Sequence, residues 1–481
     1  MLKKFLKPKI FILFFILAIG AFLRFWGIYH GSFAFTFDVG RDLLSVTEIV
    51  KGKLTLLGPT TGIPGVFYGP WWYYLLVLPF FIFSGNPALI VSTIAFLGLI
   101  NIFLAYLLGG LVLASAVAFS PHFIGTSVQI WNPNLTPFFL LSSFLVFKKI
   151  LKKTDPFLFF VFGLLTMLTF EMQSAFGIFY LLGILVSLFL FLRKKEVIFF
   201  FMGLVLIELP RFLFELRHDF LQTKALASFF SKTGGASFNL GERVFNRLNL
   251  FLGEWKFNLG ARNDLLAFLI LLFSIYFLIK NWRKFSNQEQ ICLKTLGLTI
   301  VTLFLGFLFY SQTVWSYYLI GLPTLYFLVF ATVFNKILKE SKQKRLFIGG
   351  FVFLVLLNLN LPSLWAELKD PKFAGNAAVY RNQIAVIDYI YEDAKGEKFN
   401  VIAYTPPLID YTWRYHFIWY GQKKYGYQPS IEKARLFYLI EEPDFENPER
   451  LNLWLEEREN DGKMIEKHEV AGGIVVEKRL R

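Results

Sequence analysis

Long apolar runs, separated by short polar knots, set the pattern of this chain as far as residue 364. They fall near 88–108, 109–125, 135–150, 157–171, 174–192, 197–213, 264–281, 293–310, 316–334 and 346–364. Each approaches the roughly 20 apolar residues that a membrane-crossing helix needs. Another opens the chain, where Lys3, Lys4, Lys7 and Lys9 lead into FILFFILAIGAFL. Arg24-Phe-Trp-Gly follows in place of a small-residue cleavage site, so the segment reads as an uncleaved first helix and not as a secretory signal. The pattern thus predicts about eleven transmembrane helices. Between the first two, residues 29–69 are too rich in Gly, Pro, Thr and charge to face lipid. The run 71–84 (WWYYLLVLPFFIFS) is apolar but short, contains Pro79 and begins with four aromatics, as interfacial segments do.

Beyond residue 370 the pattern changes. The tail 371–481 predicts a helix over 380–394, a strand at 399–404, helix through 408–425, a strand at 436–440, a helix over 448–459 and a last strand from Gly473. Such alternation predicts a small soluble α/β domain. It contains no GxGxxG or GxxxxGK[ST] loop, so no nucleotide site is expected. The expected organisation is a membrane domain over 1–370, with long outer loops at 29–87 and 214–262, and a soluble domain over 371–481.

Composition sharpens this. The chain has 481 residues, 56% apolar, 19% aromatic and only 17% charged, with a formal charge of +15. An ordinary soluble enzyme carries about 25% charged residues, and a nucleic-acid binder this basic would show basic stripes on a polar background. Instead the charge follows topology. If 71–84 does not cross, the connections on one side (1–9, 109–110, 148–156, 193–196, 280–294 and 335–345) hold twenty basic residues and four acids, whereas the tail holds sixteen basic and eighteen acidic. The positive-inside rule then places the N-terminus in the cytoplasm of a plasma-membrane protein and the tail outside. A single cysteine, Cys292, excludes an internal disulfide.

The clearest candidate chemistry is Phe37-Asp38-Val-Gly-Arg41-Asp42 in the first outer loop. Carboxylates four residues apart share a helix face, and the adjacent guanidinium keeps at least one ionised. An ionised carboxylate can act as a general base toward a hydroxyl; the plainer alternative is an intrahelical ion pair on a surface helix. Further candidates are the Gly/Pro-rich loop 58–70 containing Tyr68, the turn at Trp131-Asn132-Pro133, and polar residues in or beside apolar helices: Glu171, Gln173, Glu208, Arg211, Glu215, Arg217 and His218. Asn-Pro also suits an ordinary turn, and Glu208 with Arg211 suits a packing pair. In the predicted topology all of them gather at the outer face, as an extracytoplasmic site requires. His218 has no second histidine at metal-ligand spacing.

In this order the motifs resemble the membrane glycosyltransferases of the C superfamily (GT-C), in the branch of the protein O-mannosyltransferases and aminoarabinose transferases. Arg24 ends helix one, Asp38, Arg41 and Asp42 lie in a long first loop, Tyr68-Gly69-Pro70 leads into Trp72 and Tyr73, Trp131-Asn-Pro forms a second outer loop, and a soluble tail follows. The resemblance implies a polyprenyl-phosphate sugar as donor, a protein, lipid or glycan hydroxyl as acceptor, and inverting transfer with Asp38 as base. It also implies substrate-binding roles for Arg24, Arg41, Asp42, Tyr68, Asn132, Glu171, Gln173, Arg211, Arg217 and His218. Phosphate is a good leaving group, so fixed cations, Arg217 and His218 with Arg211 or Arg41, can take the place of a metal, and no cofactor is expected. Several relatives carry Asp before Pro where this chain has the neutral Asn132, which weakens any shared metal site. The Leu108-Gly109-Gly110-Leu111 connection lacks the basic turn expected there. A transporter or flippase of lipid-linked saccharides is the alternative, but that class tends to bind near the bilayer midplane in paired broken helices, and no two-half symmetry is evident.

Overall fold

The computed structural model describes residues 8–192, 194–233, 239–359, 365 and 376–481. Lys3, Lys4, Lys7, Arg193 and the expected 370/371 domain boundary lie outside the described residues. The chain is mostly helical. Its elements begin α1 (Pro8–Tyr29), α2 (Phe37–Val50), α3 (Trp71–Ile82), α4 (Pro87–Phe119), α5 (Pro121–Gly125), α6 (Thr136–Ile150), α7 (Pro156–Met172) and α8 (Ser174–Ser187). They continue through α9 (Val197–Arg217), α10 (Leu221–Thr233), α11 (Leu240–Leu259), α12 (Asp264–Lys280), α13 (Asn287–Phe309), α14 (Leu322–Glu340) and α15 (Lys344–Asn358).

Among the described residues six helices are individually long and apolar enough to cross a membrane, or seven if α11 and α12, bent by 93°, count as one broken span. The chain is a multi-pass membrane protein. The expected count of eleven is not reached on length alone, because α6 and α15 have 15 residues and α7 and α12 have 17. At 12 residues α3 is too short to cross, in keeping with an interfacial course.

The runs 88–108 and 109–125 are continuous in hydropathy but not in space. Within α4, Gly109 and Gly110 leave helical geometry, and Gly110 has φ +65° and ψ −157°, a conformation open essentially to glycine alone. A Cβ on Gly20 of α1 would lie 2.6 Å from Ile102 and 3.7 Å from Ala118. Sixteen residues of straight helix would separate those two by about 24 Å. The chain therefore folds back at the glycine pair into a hairpin clasping α1. The missing basic turn is supplied by neighbours: Lys148 Nζ donates to the Leu108 carbonyl at 2.9 Å and Asn335 Nδ2 to the Gly109 carbonyl at 2.7 Å.

The segment 214–262, expected as a loop, is largely the end of α9 plus α10 and α11. Its charges obscured an amphipathic stripe, Arg247, Phe251, Trp255 and Leu259, which is the buried face of α11. Arg247 caps α13 by donating to the carbonyls of Phe307 (3.0 Å), Tyr310 (3.3 Å) and Gln312 (3.0 Å).

The tail folds around a four-stranded sheet of β1 (Phe399–Tyr404), β2 (Leu436–Glu441), β3 (Lys463–Ala471) and β4 (Ile474–Leu480), in the order β1-β2-β4-β3. β1 and β2 are parallel and the other pairings antiparallel. Helices α16 (Tyr380–Ala394), α17 (Tyr411–His416), α18 (Gln422–Tyr425) and α19 (Pro448–Glu456) complete it, with a π turn joining α17 to α18. The expected helix through 408–425 begins at Tyr411 and includes the π turn, and β3 was not expected. That strand is an exposed, charged edge, so it lacks the apolar alternation that betrays the others.

This unit is locked onto the first loop. Phe35 N donates to the Ala378 carbonyl (2.7 Å) and Tyr380 N to the Phe33 carbonyl (3.0 Å), forming a short antiparallel bridge. Tyr415 Oη donates to the Gly85 carbonyl (2.5 Å) and Trp419 Nε1 to the Ser84 carbonyl (2.8 Å).

Candidate active site

Helix α2 organises the site. Its apolar face of Val39, Leu43, Val46 and Ile49 is buried against the body, which turns Asp38 to the rim and Asp42 into the protein. Asp38 lies in the first turn, where the helix dipole favours a carboxylate.

Arg41 ties the two acids together. Its Nη1 pairs with Asp38 Oδ1 at 2.9 Å and donates to Thr60 Oγ1 at 3.2 Å, while Nη2 and Nε reach Asp42 Oδ1 at 2.8 and 2.9 Å. Asp42 is fully buried, and its Oδ2 accepts from Trp72 Nε1 at 2.7 Å. Burial raises the Asp42 carboxyl pKa to about 6, against the opposing pull of Arg41 and the Trp72 bond. Burial works against the Arg41 charge, but Asp42 and Asp38 more than offset it and the net shift is upward. Asp38 differs from Asp42: its side chain is 36% exposed, and its Oδ2 has no hydrogen-bond partner among the described residues. Trp72, Asp42 and Arg41 thus form a rigid relay that fixes one oxygen of Asp38 and leaves the other free.

Beside it the loop 58–70 folds as a narrow hairpin with a Thr60–Phe67 bridge. Gly58 and Gly69 approach so closely that a Cβ on Gly58 would meet the Gly69 carbonyl oxygen at 2.1 Å. Tyr68 Oη donates to Gln173 Oε1 at 3.1 Å, and Gln173 Nε2 donates to the Tyr317 carbonyl at 3.2 Å. Tyr317 packs edge-on against Trp131 and Tyr318. Its hydroxyl pKa is raised by burial first, then by Tyr318, Tyr68 and Asp38. Glu171 is buried with its carboxylate against Gly69, where a Cβ would stand 2.3 Å from Oε2. Arg211 Nη2 lies 3.4 Å from Glu171 and also pairs with Glu208.

Asp38, Arg41, Asp42, Tyr68, Glu171, Gln173 and Arg211 are thereby brought into one neighbourhood. Asn132 reaches it as a brace, its Nδ2 donating to the Met172 carbonyl at 2.8 Å. Arg24 belongs to the hairpin. Fully buried, it donates to Ser127 Oγ (3.2 Å) and to the carbonyls of Gly20 (3.0 Å), Ala118 (3.1 Å) and Val117 (3.2 Å). Arg217 and His218 are exposed at the end of α9; His218 stacks on Phe214 and hydrogen-bonds its carbonyl. Glu215, next to them, caps α10 through Gln222 N and Thr223 N, each at 3.0 Å. Thr60, Tyr317 and Tyr318 were not singled out from sequence. Tyr317 and Tyr318 begin what reads as one apolar helix, and only the 3-10 turn at Ser316–Leu319 turns them toward the loop.

No protein-family model and no curated protein matches the chain. Among solved structures it is similar to ArnT, an aminoarabinose transferase of the C superfamily, from Cupriavidus metallidurans. The form bound to undecaprenyl phosphate aligns with a TM-score of 0.60 at 11% identity, over 96% of this chain and 97% of that one. The apo form gives 0.59 at 10% identity over the same shares. The chain has the ArnT-type GT-C fold. That is the fold class expected from the order of the motifs: a membrane helix bundle with a small C-terminal sheet. At this identity the likeness concerns the fold, so roles at the site rest on this chain's own geometry.

Proposed function

We propose that the protein is an integral-membrane glycosyltransferase that moves a sugar from a polyprenyl-phosphate donor to an acceptor hydroxyl on the extracytoplasmic side. The observation that carries this reading is the rim carboxylate Asp38, with one oxygen held by Arg41 and the other without a hydrogen-bond partner among the described residues. In the proposed step Asp38 Oδ2 takes the acceptor proton as the acceptor oxygen bonds to the anomeric carbon. The bond from that carbon to the phosphate oxygen breaks on the opposite face, inverting the sugar and releasing polyprenyl phosphate. Arg41 is committed to Asp38, Asp42 and Thr60 on the attacking side, so Arg211 is the cation of the cluster assigned to the phosphate; no contact of Arg217 or His218 with the cluster is seen among the described residues. Phosphate leaves without prior protonation, so no metal or cofactor is assigned a step. The ArnT-type fold and a neighbour bound to undecaprenyl phosphate favour a lipid-linked donor. Basic knots on one side favour a cytoplasmic N-terminus and an outer tail.

The test supplies purified protein in liposomes with a polyprenyl-phosphate sugar labelled in the sugar, together with acceptor-bearing membranes. Appearance of label in acceptor with release of polyprenyl phosphate is expected. Label that crosses the bilayer while still joined to its carrier would overturn the reading and identify a flippase.

A further inference from the structure

The C-terminal unit touches the helix that carries Asp38. Gly40 of α2 faces the backbone at the start of α17: a Cβ there would stand 2.6 Å from Thr412 N, 2.6 Å from the Tyr411 carbonyl carbon and 2.7 Å from its oxygen. All three are backbone atoms, so no rotamer change relieves the overlap. One turn earlier the Phe37 ring packs on the Tyr411 ring with centroids 5.0 Å apart. Phe37 and Gly40 are three residues apart and share one face of α2, while Asp38 and Arg41, one position on, share the face rotated by about 100°. The strand-like bridge at Phe33–Phe35 and the bonds to Ser84 and Gly85 anchor the same unit on both sides of this contact.

We propose that the C-terminal unit is part of the transfer machinery, with Tyr411 and Thr412 as positioning residues that seat α2 through Gly40 and Phe37 and so set the position of Asp38. The relay through Arg41, Asp42 and Trp72 fixes the orientation of Asp38 from the membrane body, and the Tyr411–Thr412 turn fixes its helix from the outside. A unit that only covered the site or gathered partners would not need backbone contact with α2 at a glycine. This role rests on the transferase reading above.

The test uses full-length Gly40→Ala, Tyr411→Ala and Tyr411→Phe proteins, each confirmed as folded by size-exclusion profile and melting temperature. Transfer is measured against the concentration of labelled polyprenyl-phosphate sugar. A displacement near 1 Å at a reacting group can lower a rate about 100-fold. Gly40→Ala is therefore expected to lower kcat by roughly tenfold to 100-fold with donor KM within about twofold. Tyr411→Ala should lower kcat in the same sense, and Tyr411→Phe, which keeps the ring, should restore it. Unchanged kcat per folded molecule in Gly40→Ala and Tyr411→Ala would overturn the proposal while leaving the transferase reading in place. If Gly40→Ala does not accumulate, the Tyr411 pair decides: equal kcat in the Ala and Phe variants overturns the proposal. A wild-type protein that transfers no sugar would overturn both readings.

Discussion

Asp38 and Asp42 show how one helix turn can give two carboxylates different environments. Both bind Arg41, yet only Asp42 is sealed from solvent and held by an indole. Its folded-state pKa of about 6 lies above the ordinary carboxylate value, so the native protein keeps this proton to higher pH than the unfolded chain does. The resulting stabilisation is full below about pH 4 and is lost as pH rises through about 6, at about 3 kcal/mol in total. Across that window the melting temperature of the wild-type protein in detergent should fall relative to Asp42→Asn; parallel curves would contradict this account of Asp42. The sequence made Asp38, Arg41 and Asp42 visible because the two carboxylates are four residues apart with a guanidinium between them. It did not reveal that Trp72, thirty positions away, is the partner of Asp42, nor that the Tyr317 carbonyl is the partner of Gln173, since those pairings join segments distant in the chain. Asn132, expected at a sugar, spends its amide nitrogen on a helix end.

At the scale of elements, glycines set the shape where the hydropathy pattern is silent. Gly110 has open space around the position of a Cβ, so a substitution there acts through the backbone alone. Gly110→Ala should destabilise the protein by about 1–3 kcal/mol. Gly349→Ala in the exposed face of α15, also in open space but in ordinary helical geometry, should be neutral or stabilising by up to about 1 kcal/mol. Melting temperatures of the pair check this, and equal effects would mean that the turn is not needed. Composition could mark Gly109-Gly110 as a break between two apolar runs, but it could not show Lys148 and Asn335 supplying the missing cap, because both come from distant helices. The same limit explains α11, whose charges concealed a buried stripe, and β3, whose exposed face carries no hydrophobic signal.

Over the whole molecule, the +15 charge is mostly a record of orientation: the side proposed as cytoplasmic holds twenty basic residues against four acids, and the tail is slightly acidic. With Cys292 replaced by Ser, a cysteine at position 86 should react with a membrane-impermeant maleimide from outside and one at position 342 only after permeabilisation; the reverse pattern would invert the proposed orientation. The fold class was legible because hydropathy and motif order survive at sequence identities too low for individual residues to align. The docking of the tail on α2 was not legible, since it depends on backbone approach at Gly40. What joins these scales is Asp38, a rim carboxylate that the membrane body and the outer unit both hold in place. The most direct measurement compares wild-type protein and Asp38→Asn for transfer at saturating labelled polyprenyl-phosphate sugar, with donor binding measured alongside. Loss of a general base lowers rate by about 100-fold to 10,000-fold, so near-complete loss of transfer with donor binding retained is predicted. Transfer by Asp38→Asn at the wild-type rate would contradict the account.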